Sequence, residues 1–315
     1  MKFHLNYTVP NFDFEISHKD QCFLIGSCFS ENIGNLLNKT KFKTYSNPNG
    51  ILFNPLSISN TIDAITSEKK IEEAFLLRRD NLFFSYLHHT SIHASSQEEL
   101  IALIEKENAN ALHAIKNANF LFLTFGTAYL FELIETKQIV ANCHKQVGSK
   151  FQKRMASVSE IVKNYSEIIS KLKVINPNIK LIFTVSPVKH LKDGLIENTI
   201  SKSTLILAIQ SIVNENSNCY YFPAFELVND DLRDYRFYKE DLAHPNDLAI
   251  QYVWQKFSDC FFSSKTLQIN QSIAKLNSAM SHKNMIASSQ ESMKLEDFIA
   301  RQKEEIKKLN AEIEL

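Results

Sequence analysis

Three nearly uninterrupted apolar runs, each ending at a small residue, constrain the fold of this chain most strongly. They are Phe23-Leu-Ile before Gly26, Phe120-Leu-Phe-Leu-Thr-Phe before Gly126, and Leu181-Ile-Phe-Thr-Val before Ser186. Such runs suit strands that are buried on both faces, as in a parallel sheet. Segments with helical spacing lie between them, at 97–117 and 157–175, and after the last of them, at 200–216. This alternation predicts an α/β protein with a mostly parallel sheet between layers of helices, a three-layer α/β/α sandwich.

Other stretches give weaker signals. Apolar residues keep helical spacing from 56 to 79, whereas 80–95, which holds three histidines, fits either a strand or a loop. The segments 129–134 and 138–141 resemble a short hairpin. Ser157-Val-Ser-Glu160 is typical of a capping box, which predicts a helix beginning at about Ser157.

Charge and cysteine usage exclude several classes of protein. Among the 315 residues, 35 Lys and Arg balance 35 Asp and Glu, so no net charge favours nucleic acid or an anionic membrane. No apolar window is long enough to span a bilayer, and the N-terminal residues lack the pattern of a secretion signal. Five scattered cysteines without CxxC spacing indicate neither disulfides nor zinc. We expect a reduced, cytoplasmic protein that needs no metal and no cofactor.

The last fifty residues differ in character from the rest. We expect a main α/β domain at 1–265 and a helical extension at 266–315. Apolar or amide side chains in the extension recur at spacings of three and four, as in a heptad seam: Leu295, Phe298, Gln302, Ile306, Leu309 and Ile313. Two interpretations remain open, a coiled coil that makes a homo-oligomer and an amphipathic helix that packs on its own chain.

The first apolar run ends at a turn with two nucleophilic side chains. Ser27 and Cys28 follow Gly26, and a helical segment begins shortly afterwards. A strand, a glycine turn and a helix are a common way to expose a nucleophile, because the helix start also offers free backbone N–H groups. This turn is therefore the predicted nucleophile site.

Asp241-Leu-Ala-His244 supplies the remaining groups that a nucleophile needs. A serine or cysteine nucleophile requires a base, and the base requires a partner that fixes its tautomer. A spacing of three residues lets one loop deliver both groups. By itself the pattern also fits a carboxylate at a helix start beside a surface histidine. Together with the glycine turn it indicates a hydrolase or an acyl-transfer site.

The motifs resemble those of the GSCFA family within the SGNH-hydrolase superfamily. Gly26-Ser27-Cys28-Phe29-Ser30 is similar to the signature that names the family, with Ser in place of the final Ala. Further similar segments are Asn49-Gly-Ile-Leu-Phe-Asn-Pro55, Thr124-Phe-Gly-Thr-Ala-Tyr129, Asn142-Cys-His-Lys145, Ser186-Pro-Val188 and Asp241-Leu-Ala-His-Pro245. The resemblance, over roughly 1–265, implies a flavodoxin-like sheet and an ester hydrolase or acyltransferase. Its substrate would be an acyl ester of a small molecule or a carbohydrate.

The resemblance also places the nucleophile. Aligning the superfamily's Gly-Asp-Ser motif with Gly26-Ser27-Cys28 puts Cys28 at the nucleophile position, and a shift by one residue would select Ser27 instead. We favour Cys28, because a thiol is intrinsically more nucleophilic and a helix N-terminus is expected to lower its pKa. His244 would be the general base and Asp241 its partner.

The oxyanion donors depart from the superfamily pattern. The resemblance implies the nucleophile's own N–H and the N–H of Gly126, but the usual asparagine side chain is missing from Gly126-Thr-Ala-Tyr129. Asn54, Asn142 and His144 are candidates to replace it, although Asn54 also fits a turn residue before Pro55 and His144 a loop histidine bonded to the backbone. We expect Thr127 and His144 to contact substrate. Arg236 or Arg233 could hold an anionic group, and a solvated charged stretch is the alternative.

A different class of function remains an alternative. The missing asparagine and the heptad pattern fit a binding or scaffolding protein that keeps the SGNH fold without turnover. Labelling with thiol-reactive and serine-reactive probes distinguishes an enzyme from a binding protein, because only a catalytic nucleophile requires His244 for its labelling.

Overall fold

The computed structural model of this protein describes residues 7–283 and 289–314, with side chains up to 281 and from 293 onward. The strands are β1 (Gln21–Gly26), β2 (Lys43–Ser46), β3 (Leu76–Arg79), β4 (Leu82–Ser85), β5 (His93–Ala94), β6 (Phe120–Phe125), β7 (Tyr129–Leu133), β8 (Ile139–Val140), β9 (Phe151–Met155), β10 (Lys180–Val185) and β11 (Cys219–Tyr221). The α-helices are α1 (Cys28–Lys39), α2 (Pro55–Thr66), α3 (Gln97–Asn117), α4 (Val158–Ile175), α5 (Leu195–Glu215), α6 (Ala224–Glu226), α7 (Asp247–Phe261), α8 (Ser264–Lys283) and α9 (Ser289–Leu309).

A five-stranded parallel sheet forms the centre of the molecule, in the order β11-β10-β6-β1-β2. This order is that of flavodoxin-like sheets, and it confirms the predicted fold class. Strand β6 is central, and its residues from Phe120 to Phe125 are all buried. The three apolar runs therefore lie side by side, and their carboxyl ends meet at one edge.

Alternate residues of each strand face opposite layers, as the pleat requires. Phe23 and Ile25 pack with apolar side chains of α2, α3, α4 and α5. Cys22 and Leu24 pack instead against α1 and α7. This arrangement gives the three layers, and it buries both faces of the sheet.

Two small antiparallel sheets lie outside the central one. The first contains β3, β4 and β5, and the second contains β8, β7 and β9. The predicted helix over 56–79 is wrong beyond Thr66, where α2 ends. Glu68 adopts a left-handed φ of 49°, and Leu77 and Phe84 are buried in a separate apolar cluster. Tertiary burial thus outweighs the local helical spacing.

The C-terminal helices α8 and α9 pack against each other. Ile306 and Ile313 contact a cluster that includes Ile269, Ile273 and Leu276. Some residues of the heptad pattern therefore pack against α8 of the same chain, whereas Phe298 is exposed. The domain boundary near residue 265 and a homo-oligomer through this helix stay predictions. None of the described helices is long and apolar enough to cross a membrane.

Candidate active site

Gly26 makes the turn that carries the predicted nucleophile. Its φ of +140° lies in the region that favours glycine, and a Cβ there would stand 2.2 Å from the carbonyl oxygen of Thr124. The backbone can therefore leave β1 in close contact with β6. The following residue, Ser27, donates its N–H to the same Thr124 oxygen at 3.2 Å.

The structure gives the two candidate nucleophiles different environments. Ser27 is the N-cap of α1, is 1% exposed, and its hydroxyl accepts the N–H of Phe29 at 3.3 Å. Cys28 is the first residue of α1, three residues earlier than the predicted start at Glu31, and it lines a cavity of about 170 Å³. Ser27 is not among the residues that line this cavity.

A loop before α7 carries the predicted base. Backbone hydrogen bonds close it on itself, from Asn246 N to Phe237 O at 2.9 Å and from Lys239 N to His244 O at 2.8 Å. A third bond, from Lys189 N to Ala243 O at 3.1 Å, ties the loop to the chain that follows β10. These bonds bring His244 to the carboxyl edge of the sheet.

Asp241 and His244 form the predicted pair. His244 Nδ1 donates to Asp241 Oδ2 at 2.6 Å, which leaves Nε2 as the acceptor of a proton. The other carboxylate oxygen accepts the N–H groups of His244 at 2.9 Å and of Ala243 at 3.0 Å. These bonds, led by the two backbone N–H groups, lower the pKa of Asp241 to about 2. The carboxylate is therefore charged at neutral pH and can orient the ring.

Cys28 and His244 line the same cavity, so the two distant sequence motifs meet in the fold. The other lining residues are mostly apolar, with Asn32 and Lys239 as the polar exceptions: Phe29, Asn32, Pro187, Val188, Val228, Lys239, Pro245, Ala249, Ile250 and Val253. Cys28, His244 and Asp241 are the residue types that serve as nucleophile, base and orienting group in catalytic triads.

The resting state of the thiol differs from the sequence prediction. Burial raises the pKa of Cys28, and the nearby charge of Glu31 raises it further. The backbone N–H groups of Cys28 and Phe29, together with Lys202, lower the pKa but do not offset the burial. The predicted low-pKa thiolate is therefore wrong, and the thiol needs a base before it can attack.

Sequence reasoning missed Lys202, which lies beneath the site. This residue of α5 is 2% exposed, and its ammonium donates to Gly126 O at 2.5 Å and to Ser186 O at 2.7 Å. Burial lowers its pKa to about 7, and the charge of Cys28 acts in the opposite direction. Lys202 therefore joins the ends of β6 and β10 and places a titratable cation near the thiol.

Asn32 is a second residue that sequence reasoning missed. It lies four residues after Cys28 on α1, a spacing that places both side chains on one helix face. Its amide lines the cavity and has no hydrogen-bond partner in the described part of the chain. The i, i+4 spacing from the nucleophile was the signal that could have identified it.

The N–H of Gly126 is already used within the fold. It donates to the carbonyl oxygen of Phe53 at 2.7 Å, and the N–H of Thr127 donates to the same oxygen at 3.1 Å. Gly126 is thus not a free oxyanion donor, which corrects the prediction. The Thr127 hydroxyl bonds to Ser201 Oγ at 3.0 Å and accepts the N–H of Tyr129, so it fixes the strand end and does not reach the cavity.

The two asparagine candidates have structural partners. Asn54 is the N-cap of α2, where its oxygen accepts Ser57 N at 2.7 Å and its nitrogen donates to Ser57 Oγ at 2.9 Å. Asn142 accepts the N–H of His144 at 2.8 Å through its side-chain oxygen. Neither residue lines the cavity of Cys28, so the structure does not bring them to the predicted nucleophile.

His144 and Arg236 also lie apart from the cavity of Cys28. His144 is 1% exposed, and its Nε2 donates to Ser85 O at 2.7 Å beside the ring of Phe84. Arg236 is exposed and donates to Asp234 at 3.1 Å. Within residues 7–283 and 289–314, no cluster of three His, Cys, Asp or Glu is placed to hold a metal ion.

Similarity searches give a family and several distant structures. One structure is a carbohydrate esterase family 3 from Talaromyces cellulolyticus, with 8% identity, TM-score 0.37, and coverage of 80% of this chain and 98% of that one. An acetyl xylan esterase from the rumen bacterium Butyrivibrio proteoclasticus has 11% identity, TM-score 0.39, and coverage of 80% and 64%. The periplasmic domain of a lipopolysaccharide acetyltransferase from Salmonella ser. Paratyphi A has 11% identity, TM-score 0.36, and coverage of 78% and 84%.

No match is found among curated proteins. The GSCFA family matches residues 21–257, which include the glycine turn of Cys28 and the loop of Asp241 and His244. Since this match spans well over half of the 315 residues, the chain belongs to the GSCFA family.

Proposed function

We propose that the protein cleaves or transfers a short acyl group from an ester, with Cys28 as nucleophile. One observation carries this proposal: Cys28 and His244 line one cavity, and His244 Nδ1 donates to Asp241 at 2.6 Å. The free ring nitrogen of His244 is then an acceptor for the thiol proton. We take Ser27 to be the helix cap, because its hydroxyl already accepts a backbone N–H.

In the first half-reaction, the Cys28 proton moves to His244 as the sulfur bonds to the ester carbonyl carbon. The carbonyl oxygen becomes an oxyanion in the tetrahedral intermediate. When that intermediate collapses, the carbon–oxygen bond of the ester breaks. His244 returns its proton to the leaving alcohol, and the acyl group remains on Cys28 as a thioester.

In the second half-reaction, water or another alcohol loses a proton to His244 and attacks the thioester. Collapse of that intermediate breaks the carbon–sulfur bond and restores the Cys28 thiol with the proton from His244. Water gives hydrolysis, and an alcohol gives acyl transfer. Asp241 stabilises the imidazolium in both halves because its carboxylate stays charged.

We assign oxyanion binding to the Cys28 N–H and the Asn32 amide. The Cys28 N–H is the first of α1, where backbone donors are not used within the helix. Asn32 takes the role of the asparagine that is absent after Gly126. When Lys202 is protonated, it lowers the pKa of Cys28 and so favours the thiolate that attacks.

The cavity favours a small acyl group. Its volume of about 170 Å³ is below that of most ligand sites, and Val228 and Val253 make its inner part apolar. An acetyl or a similarly short acyl chain fits such a space, whereas the alcohol side of the ester would lie toward the opening with Asn32 and Lys239.

Activity on short-chain aryl esters and thioesters tests the proposal. Cys28→Ala and His244→Ala should each reduce kcat/KM by roughly 10³-fold or more, because each removes a group required for the covalent step. Ser27→Ala is the matched control. It should reduce stability by about 1 kcal/mol through loss of the cap, with kcat/KM changed only a few-fold. Equal activity in Cys28→Ala and wild type would rule out the assignment.

A binding protein without turnover is the second candidate, and the engaged N–H of Gly126 favours it. It predicts no ester cleavage, and labelling of Cys28 by a thiol-reactive probe at the same rate in His244→Ala and wild type. Labelling that slows in His244→Ala would support catalysis.

A further inference from the structure

His190 is a second histidine at the carboxyl edge of the sheet, and the mechanism proposed above does not use it. It lies in the chain that follows β10. The preceding residue, Lys189, donates its N–H to Ala243 O at 3.1 Å, and Ala243 directly precedes His244. One backbone hydrogen bond therefore joins the two loops that carry His190 and His244.

Three contacts from different elements hold the imidazole of His190 in place. Its backbone N–H donates to Asn198 Oδ1 of α5 at 2.9 Å. Its ring packs edge to face with the ring of Phe53, with 5.8 Å between the centroids. Its Nε2 lies 3.3 Å from the point where a Cβ would stand on Gly126, so the missing side chain there makes room for the ring. The imidazole is thereby fixed over the end of β6.

Both ring nitrogens of His190 are available to a ligand. Within the described part of the chain, neither nitrogen forms a hydrogen bond. Neither is fully enclosed, because His190 is only partly buried and its nitrogens are not among the inaccessible polar atoms that lack a partner. The neighbouring Phe53 is likewise only partly buried. A ring that is packed into one position with both nitrogens accessible and unused is suited to bind a polar group.

The ring offers neutral hydrogen bonds. Burial lowers the pKa of His190 to about 4, and the charges of Lys202 and His244 contribute to the decrease. The imidazole therefore carries one donor and one acceptor at neutral pH. Lys153 forms a salt bridge with Asp193, and Lys202 is bound to two backbone carbonyls, so neither ammonium is free for an anionic ligand. A hydroxyl group, which both donates and accepts, matches this ring.

The position of His190 indicates which part of an ester it would contact. The cavity of Cys28 is lined by side chains of α1 and α7. His190 is held instead by Asn198 of α5 and by Phe53, which lies just before α2. These two pairs of helices cover opposite faces of the sheet. When the acyl group occupies the Cys28 cavity, a group that reaches His190 therefore belongs to the alcohol.

We propose that His190 determines specificity for the alcohol part of the ester, by hydrogen bonding to a hydroxyl group that this alcohol carries besides the esterified one. The inference rests on the proposed function, because it requires the ester to react at Cys28. It assigns the preferred substrates to acyl esters of diols or polyols, in contrast to esters of simple alkanols. The ring of Phe53 provides an apolar surface for the C–H groups of such an alcohol.

Two matched pairs of esters test this inference. 2-Hydroxyethyl acetate differs from propyl acetate by a terminal hydroxyl in place of a methyl group, and glyceryl monoacetate is paired with butyl acetate. The ratio of kcat/KM within each pair is measured for wild type, His190→Phe and His190→Gln of the full chain. His113→Phe, at an exposed position of α3, is the matched control.

We expect wild type and His113→Phe to prefer the hydroxylated ester of at least one pair by roughly fivefold to tenfold, the effect of one hydrogen bond. In His190→Phe this ratio should fall to about one, chiefly through a higher KM for the hydroxylated ester. His190→Gln keeps a hydrogen-bonding side chain and should retain part of the preference. Circular dichroism checks that each variant folds.

Three results would overturn the inference. The first is a wild type that cleaves both members of each pair equally well. The second is a folded His190→Phe protein that keeps the wild-type ratio, including the case in which both esters of a pair lose activity equally, as a purely structural role would produce. The third is a stronger preference for the acetate ester of glycolate, whose carboxylate would indicate recognition of an anion.

NMR of the histidine side chains in Cys28→Ala separates this inference from the proposed function, because it requires no turnover. The imidazole nitrogen signals of His190 are assigned by their loss when His190 is replaced. 2-Hydroxyethyl acetate should shift these signals, and propyl acetate should not. If wild type cleaves no ester, the proposed function fails, and the same NMR comparison still decides whether His190 binds a hydroxylated ligand. Absence of a shift with every hydroxylated ester would overturn the inference.

Discussion

Lys202 is a buried residue whose charge lowers the pKa of Cys28. Its ammonium contacts the carbonyl oxygens of Gly126 and Ser186, and no ion pair with a carboxylate is formed among the described residues. Burial without a counter-ion favours the neutral amine, which explains its pKa of about 7. In the sequence, Lys202 reads as an ordinary lysine of a helix between two serines. Only the packing of α5 over the strand ends reveals its burial.

Replacing Lys202 should change how stability depends on pH. The unfolded chain keeps the lysine protonated up to about pH 10, whereas the folded chain releases the proton near pH 7. The unfolded state then binds more protons, so the free energy of unfolding rises with pH in this window, by up to about 1.4 kcal/mol per pH unit.

Urea unfolding of Lys202→Met and wild type between about pH 7 and pH 9 measures this effect. The difference in unfolding free energy between them should grow with pH in favour of wild type. Ser203→Met, at an exposed neighbouring position, should follow wild type. A difference that is constant across the window would show that Lys202 is not a buried titrating group.

Asn32 should contribute to catalysis and little to stability. Its amide is partly exposed and has no partner within the described chain, so Asn32→Leu breaks no internal hydrogen bond. Loss of an oxyanion donor reduces kcat by roughly 10²-fold to 10³-fold. We expect this loss in kcat with an unchanged melting temperature and a small change in KM. An unchanged kcat in Asn32→Leu would show that Asn32 does not stabilise the oxyanion.

At the scale of single elements, the junction of β1 and α1 depends on one glycine. A Cβ at Gly26 would meet backbone atoms of Thr124, which cannot move aside as a flexible side chain could. We expect Gly26→Ala to destabilise the protein by more than about 3 kcal/mol, through backbone strain and collision together. Gly148→Ala, where a Cβ meets nothing within 4 Å, is the control. Chemical denaturation compares the two, and equal stability would contradict the strained turn.

An element could be predicted when the signal for it lies within its own sequence, and could not when it depends on contacts with residues distant in the chain. The runs of β1, β6 and β10 were predicted because both faces of each strand are apolar in the sequence itself. The capping box at Ser157 was predicted because both partners are local. Strand β3 was not predicted, and β4 was left open between strand and loop, since their apolar cluster includes Val140 and Phe151, which are distant in the chain.

At the scale of the whole molecule, several buried histidines make stability sensitive to acid. Burial lowers the pKa of His88 to about 3 and that of His190 to about 4, because the charged imidazolium is disfavoured. The unfolded chain binds these protons near pH 6.5. The unfolded state therefore holds more protons at intermediate pH, and stability rises as the pH increases from about 4 to about 6.5.

His88→Gln should flatten this pH dependence. Thermal melts of the variant and of wild type across the acidic range measure the slope of stability against pH. His113→Gln, at an exposed position of α3, should keep the slope of wild type. The same slope in His88→Gln and wild type would show that the buried ring does not couple protonation to folding.

The whole molecule also shows which part of the site the sequence can predict. The sequence identified Cys28, Asp241 and His244 because each lies in a short recognisable motif. The parallel sheet then brings the two motifs together at one edge. Asn32 on α1 could have been found from its four-residue spacing to Cys28, whereas Lys202 on α5 and the residues after β10 have no fixed spacing to the motifs in the sequence. Gly126 was assigned from its motif, but its N–H is bonded to Phe53, a contact that only the fold defines.

Rapid-quench mass spectrometry of the acyl-enzyme tests the central claim most directly. Wild type is mixed with p-nitrophenyl acetate, quenched in acid and mapped by peptide. The account predicts one acetyl group on Cys28 that forms in Ser27→Ala, is absent in Cys28→Ala and forms far more slowly in His244→Ala. An acetyl group on Ser27, or one on Cys28 that forms equally fast without His244, would contradict it.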